Sequence, residues 1–153
     1  MEIFRVNEEG TLYVSSDIDD WDAIHAREVT VIVDMDGAID HHVPTRPDHF
    51  LYVYYPIYDE DLPNLGKLHA VAQMVATLTR FERVLVHCRA GYNRSCLVAG
   101  LALTYLGRSG AEALDHLRTA RPAALWNEAF ARYLESLPPR PLPGADTGQG
   151  RPG

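Results

Sequence analysis

Lysine is nearly missing from this chain. Lys67 is the only one in 153 residues, against thirteen arginines, 21 acidic residues and a formal charge of −7. No basic run exists to track a nucleic-acid backbone or an anionic membrane, so neither partner is expected and any anion must be recognised locally. Cysteine is scarce too. Cys88 and Cys96 lie eight residues apart, which is no disulfide framework for a small secreted domain and favours a reducing, cytoplasmic setting. There is no basic-plus-apolar leader. The longest apolar run, residues 96–106, is interrupted by Thr104 and is too short to cross a bilayer.

What is present suits one globular domain, since 153 residues with 46% apolar content can bury one core but not two ordinary ones. Residues 2–6 and 11–15 flank the turn quartet Asn7-Glu8-Glu9-Gly10 as an edge hairpin. Ser16 or Asp17 is placed to cap a short helix over residues 21–27, and the β-branched residues 29–33 read as a buried strand. Residues 36–49 are loop-like, and residues 50–55 form an aromatic strand. In the helix that follows, Leu65, Leu68, Ala72, Val75 and Leu78 share one buried face, with Asp61 placed to cap it. Leu106-Gly107 closes a later helix, Ser109 and Glu112 form a capping box for the next, and Asn127 caps the last. Five prolines and four glycines from Pro138 onward predict a disordered tail over residues 138–153 and a folded domain over residues 1–137. Strands interspersed with helices make the fold α/β, a central sheet flanked by helices.

The chemistry lies in Val84-Leu85-Val86-His87-Cys88-Arg89-Ala90-Gly91-Tyr92-Asn93-Arg94-Ser95, which reads as buried strand, tight loop and helix start. Backbone amides converging at a helix N-terminus make an anion site, so residues Arg89, Ala90, Gly91, Tyr92, Asn93 and Arg94 are candidates to bind phosphate. A cysteine there serves as a thiolate nucleophile, supported by the amides, the helix dipole and Arg94. Arg94 offers a planar fork to two phosphoryl oxygens, where lysine would offer a point charge. Ser95 can hydrogen-bond the sulfur as it leaves. Gly91 permits a dihedral or a close approach that a side chain would block. His87 points to the opposite face of its strand from Cys88, so its expected work is orienting the loop by hydrogen bonds rather than acting as a base. Cys and Arg at this spacing arise by chance roughly one time in six, but with His87, Gly91 and Ser95 the figure falls to about one in fifty thousand.

The segment resembles the signature of the cysteine-dependent protein phosphatases, in the His-Cys-x-x-Gly-x-x-Arg-Ser form of the dual-specificity phosphatases. The likeness runs over residues 52–137, includes Arg121-Pro122 and Asn127-x-x-Phe130, and is loose over the first fifty residues. It implies a phosphotyrosine-phosphatase-like fold with a mixed sheet of about five strands, no cofactor and no metal. It also implies an acid: an Asp about thirty residues before the Cys, which protonates the leaving group and then activates water on the cysteinyl-phosphate. Asp59 lies 29 residues before Cys88 and Asp61 lies 27 before it. Asp59 directly follows the apolar strand end and is preferred, with Asp61 the alternative. Asn127 is expected to support the loop.

Other patterns point elsewhere. Val31-Ile32-Val33-Asp34-Met35-Asp36-Gly37 resembles the first motif of the haloacid-dehalogenase phosphatases, in which Asp34 would be nucleophile and Mg²⁺ ligand. That fold needs a larger domain, a later Lys and an acidic metal pair, so a strand end and turn is preferred. His41, His42 and His49 read as solvated loop residues. Cys96 reads as a packed core thiol, with a disulfide to Cys88 under oxidation as the alternative. Asn93 is similar to the residue found in RNA 5′-triphosphatase relatives, and Arg89 to a cation of phosphoinositide phosphatases. The expected function is hydrolysis of phosphoprotein at phosphotyrosine, with phosphoserine and phosphothreonine as an extension, or of small phosphomonoesters, through a cysteinyl-phosphate. Those two activities, or a phospho-binding pseudophosphatase, are the alternatives.

Overall fold

Short β-branched and aromatic runs pair into a five-stranded mixed sheet in a computed structural model of the protein, which describes residues 1–143. The elements in chain order are β1 (Ile3–Arg5), β2 (Leu12–Ser15), α1 (Trp21–Ala26), β3 (Val31–Asp34), β4 (Leu51–Tyr54), α2 (Leu65–Leu78), β5 (Val84–His87), α3 (Arg94–Tyr105), α4 (Gly110–Ala120) and α5 (Glu128–Glu135). The strand order is β1-β2-β5-β3-β4, with β1 antiparallel to β2 and the other pairs parallel. β5 is therefore central, and the loop after it opens at the carboxyl edge of the parallel strands, where α/β sheets bind ligands.

The pleat divides the core in two. Val84 and Val86 of β5 pack with Leu12, Val14, Val31 and Val33 under α2 to α5, while Leu85 joins Tyr13, Ile32 and Ile24 beneath α1. α3 is enclosed, with every residue from Ser95 to Tyr105 buried. A helix apolar on nearly all sides requires this.

Two caps differ from expectation. Asp20, rather than Ser16 or Asp17, caps α1 and accepts from the Ala23 N–H at 3.2 Å. The N–H of Asp17 instead donates to the Arg89 carbonyl at 3.2 Å. Asn64, rather than Asp61, caps α2 and accepts from the Lys67 N–H at 2.9 Å. The cap must immediately precede the helix, which begins at Leu65. Leu65 sits in that first turn, outside the buried face of Leu68, Ala72, Val75 and Ala76, and is 42% exposed. Of the tail expected over residues 138–153, the described part runs beside α3. There the Arg140 and Leu142 amides donate to the carbonyls of Thr104 (2.9 Å) and Tyr105 (3.1 Å). Residues 144–153 lie outside the described residues. Among the described residues no helix is long and apolar enough to cross a membrane.

The capping box of α4 is complete: Ser109 Oγ accepts from the Glu112 N–H and Glu112 Oε1 from the Ser109 N–H, both at 3.1 Å. Replacing Ser109 with Ala should cost about 1 kcal/mol in urea unfolding. A loss below ~0.3 kcal/mol would show that α4 is held by packing alone.

Candidate active site

β5 ends at His87 and α3 begins at Arg94, so residues 88–93 must turn within that gap. The carbonyls of this loop are bonded on its outer side. Arg89 O accepts from the Asp17 N–H (3.2 Å), Ala90 O from Arg121 Nη2 (3.2 Å), Gly91 O from the Cys96 thiol (3.7 Å) and Tyr92 O from the Leu125 N–H (2.9 Å). A trans peptide points its carbonyl and the next N–H in opposite directions. The amides of Ala90, Gly91, Tyr92 and Asn93 therefore turn inward, at the N-terminus of α3. One of them is already used: Gly91 N–H donates to Cys88 Sγ at 3.3 Å.

Cys88 is 2% exposed, and its Sγ lies 3.3 Å from Ser95 Oγ. Gly91 has φ +75°, and a Cβ on it would stand 2.9 Å from Ser15 C and Ser16 N, so the loop seats on the end of β2 only with glycine there. Cys96 is wholly buried, which pushes its thiol up to about 12. It packs as an inert donor, and both cysteines are free thiols. Arg94 Nη1 donates to Ile57 O at 3.3 Å and lies 3.5 Å from Asp36 Oδ1. Arg89 is largely exposed, its Nε 4.0 Å from the same Asp36 oxygen.

The side chain of Asn93 turns away from the anion site toward Asp59, its Nδ2 donating to Asp59 Oδ2 at 3.0 Å. Asn127 Nδ2 donates to Asp59 Oδ1 and to Glu60 O, both at 2.9 Å, while its N–H donates to Asn93 Oδ1 at 2.9 Å. The same residue caps α5, its Oδ1 accepting from the Phe130 N–H at 3.3 Å. Asp59 is thus held through both oxygens, one bond from the Cys loop. Asp61 is exposed, and no hydrogen bond ties it to the loop.

Behind the loop is a polar cluster that sequence reasoning missed. The register of β3 on β5 pairs Asp34 with His87. His87 Nε2 lies 2.6 Å from Asp40 Oδ2 and 3.5 Å from Asp34 Oδ1, while Tyr52 donates its hydroxyl hydrogen to Asp34 and accepts from the Asp40 N–H at 2.9 Å. Burial alone would lower the His87 pKa, but the Asp40 bond and the charges of Asp40 and Asp34 outweigh it and hold the imidazole above its ordinary value. Burial raises the Asp34 carboxyl above the usual range, against bonds from Tyr52 and the Asp36 N–H. The only sequence signal was Asp34-x-Asp36, which ends a strand as expected but serves the Cys loop. Arg121 was noted only as part of a pattern. It stacks over the rings of Tyr92 (3.8 Å) and Phe4 (4.5 Å), clamping the loop to β1.

His41, His42 and His49 are exposed. Among the described residues one group, Asp34, Asp40 and His87, brings three possible metal-ligand atoms within 4.8 Å of one another. Its imidazole Nε2 is already bonded to Asp40, which accounts for the cluster as an ion pair.

The sequence model of the dual specificity phosphatase catalytic domain matches residues 12–137. Cyclin-dependent kinase inhibitor 3 of Rattus norvegicus is 38% identical over 71 residues, covering 44% of this chain and 34% of that protein. Dual specificity protein phosphatase 1 of Arabidopsis thaliana is 32% identical over 99 residues, covering 61% and 49%. Protein phosphatase Slingshot homolog 3 of Mus musculus is 30% identical over 135 residues, covering 82% and 20%. The chain thus spans half or less of the length of these curated relatives. Among solved structures, human DUSP28 superposes with a TM-score of 0.70 at 25% identity, over 87% of this chain and 90% of that one. The Yvh1 phosphatase domain from Chaetomium thermophilum shares the fold, with a TM-score of 0.72 over 88% and 94% at 22% identity.

The His87 pair carries a pH signature. A histidine whose folded pKa exceeds its unfolded value of about 6.5 adds stability that is complete below that value and is lost as pH rises through the folded pKa. The stability difference between wild type and His87→Gln should therefore be largest near pH 6 and shrink as pH rises. A difference that stays constant or grows between about pH 6 and 9 would contradict the ion pair.

Proposed function

The chain belongs to the dual specificity phosphatase catalytic-domain family, and from that premise we propose that residues 1–137 form a catalytic domain hydrolysing phosphorylated proteins through a cysteinyl-phosphate intermediate. The observation that carries this is the placement of Cys88 Sγ between Ser95 Oγ and the Gly91 N–H, each at 3.3 Å, with Arg94 opening the helix behind it. Two of the relatives are named as protein phosphatases.

The Cys88 thiolate attacks phosphorus in line with the departing ester oxygen. The inward amides and the Arg94 fork hold the three equatorial oxygens as their charge develops. Asp59 gives its proton to the leaving oxygen, then takes one from the water that attacks the phosphorus of the cysteinyl-phosphate and breaks its bond to sulfur. Sulfur leaves as thiolate toward the Ser95 hydroxyl, and inorganic phosphate is released. Asn93 and Asn127 hold Asp59 in place. The nucleophile must remain a free thiol, which fits a reducing, cytoplasmic compartment.

Cys88→Ser should abolish release of p-nitrophenol from p-nitrophenyl phosphate. Wild-type protein that binds phosphate without turnover would instead be a phospho-binding module. Asp59→Asn should slow hydrolysis of a phosphoserine peptide by about 10²-fold or more, because loss of a general acid costs 10²–10⁴. The aryl ester, with its better leaving group, should slow far less. Equal slowing of both would remove Asp59 as the acid, and a full effect from Asp61→Asn would transfer the role.

A further inference from the structure

The Asp34-Met35-Asp36 turn ends β3 directly beside β5, and its two carboxylates reach the two ends of the Cys loop. Asp34 lies by His87, before Cys88, and Asp36 lies by Arg94, after it. The Asp36 contact is the informative one. Its Oδ1 stands 3.5 Å from Arg94 Nη1, the same nitrogen that donates to the Ile57 carbonyl at 3.3 Å. The Arg94 Nε is buried yet has no hydrogen-bond partner. One end of the guanidinium is therefore held by a hydrogen bond to Ile57 and an ion pair with Asp36. The donor on its other edge is withdrawn from water with nothing to bond, a state that is costly to leave unmade.

A guanidinium binds an oxyanion bidentately through two parallel N–H groups on one edge. With Nη1 occupied, the edge left for phosphate is Nε with Nη2. We propose that Asp36 is a positioning residue of the phosphate site: it fixes Arg94 through Nη1 so that the Nε–Nη2 edge is presented to the transferring phosphoryl group. This rests on the phosphatase reading and deepens it. Asp36 is itself well held. Its Oδ1 accepts from the Gly37 N–H at 2.8 Å. Burial pushes its carboxyl up, but the Gly37 bond, the neighbouring Asp17 and the Arg94 and Arg89 charges outweigh burial and keep it anionic. Arg89, 78% exposed, approaches it only to 4.0 Å and makes a poor anchor for comparison.

Positioning separates two quantities that a collapsed loop would lose together. Asp36→Asn removes a negative charge from beside the site and loosens the fork. Inorganic phosphate, bound mainly by the loop amides, should inhibit the variant as well as it inhibits wild type or better. Its kcat for p-nitrophenyl phosphate should fall by about 10- to 100-fold, the scale of a misplaced catalytic group. A direct readout is the Arg94 Nε–H resonance in the phosphate complex, assigned by its loss in Arg94→Lys. It should shift downfield and resist exchange in wild type, and do neither in Asp36→Asn. A variant with kcat within about twofold of wild type, or with the resonance unchanged, would overturn the proposal. So would kcat and phosphate affinity falling together. If wild type itself shows no turnover, the phosphatase reading fails, while the resonance still decides the role of Asp36.

Discussion

The site depends on which way four consecutive peptide planes face. An anion loop is useful only when its N–H groups converge, and a free loop has no reason to keep them so, because each plane can flip at little cost. Here the flip is blocked from outside. Carbonyls from Arg89 to Tyr92 are each taken by a donor on another element: the Asp17 amide after β2, the Arg121 guanidinium at the end of α4, the Cys96 thiol in α3 and the Leu125 amide before α5. Flipping one plane would leave a carbonyl aimed into the ring of inward amides and a donor without an acceptor behind it, two penalties for one rotation. The amide array is thus preorganised before any anion arrives, which is the arrangement that stabilises developing charge most effectively.

That dependence explains what could and could not be read from the chain. Cys88, Gly91, Arg94 and Ser95 lie in one contiguous motif, and the Ser109 and Asn127 caps obey rules of three or four residues, so local spacing brings them to notice. The strand order and the partners of the loop carbonyls are long-range. Asp34 meets His87 because β3 pairs with β5 in one particular register, and 53 positions separate them in sequence. Nothing in the spacing announces it. The Asp-x-Asp-Gly run stood out for its resemblance to another phosphatase class. Its actual use, one carboxylate behind each end of the Cys loop, becomes visible only when β3 lies beside β5. The misjudged caps share one cause. Ser16, Asp17 and Asp61 are all competent cap residues, and which residue caps depends on where the helix starts, a point settled by packing.

Asp59 illustrates the same limit from the other side. Sequence preferred Asp59 to Asp61 from its place after the strand end alone. What distinguishes the two in the fold is long-range: amides of Asn93 in the loop and Asn127 at the start of α5 bond Asp59, and neither bonds Asp61. Asn127 serves three elements with one side chain and one amide, capping α5, holding Asp59 and bonding Asn93. A change there would move Asp59 relative to the Cys loop, because its bonds run to both Asp59 and Asn93.

The charge of the site follows from these contacts as well. The chain carries seven more acidic than basic groups, yet the loop itself lies in a positive field. Two arginines and a helix terminus supply that positive field, while Asp36 sits between Arg94 and Arg89 and Asp59 stands at the rim. Asp36 lies within 4.0 Å of both arginines, so its charge offsets theirs outside the loop, and the positive field is concentrated at the inward amides and the helix terminus.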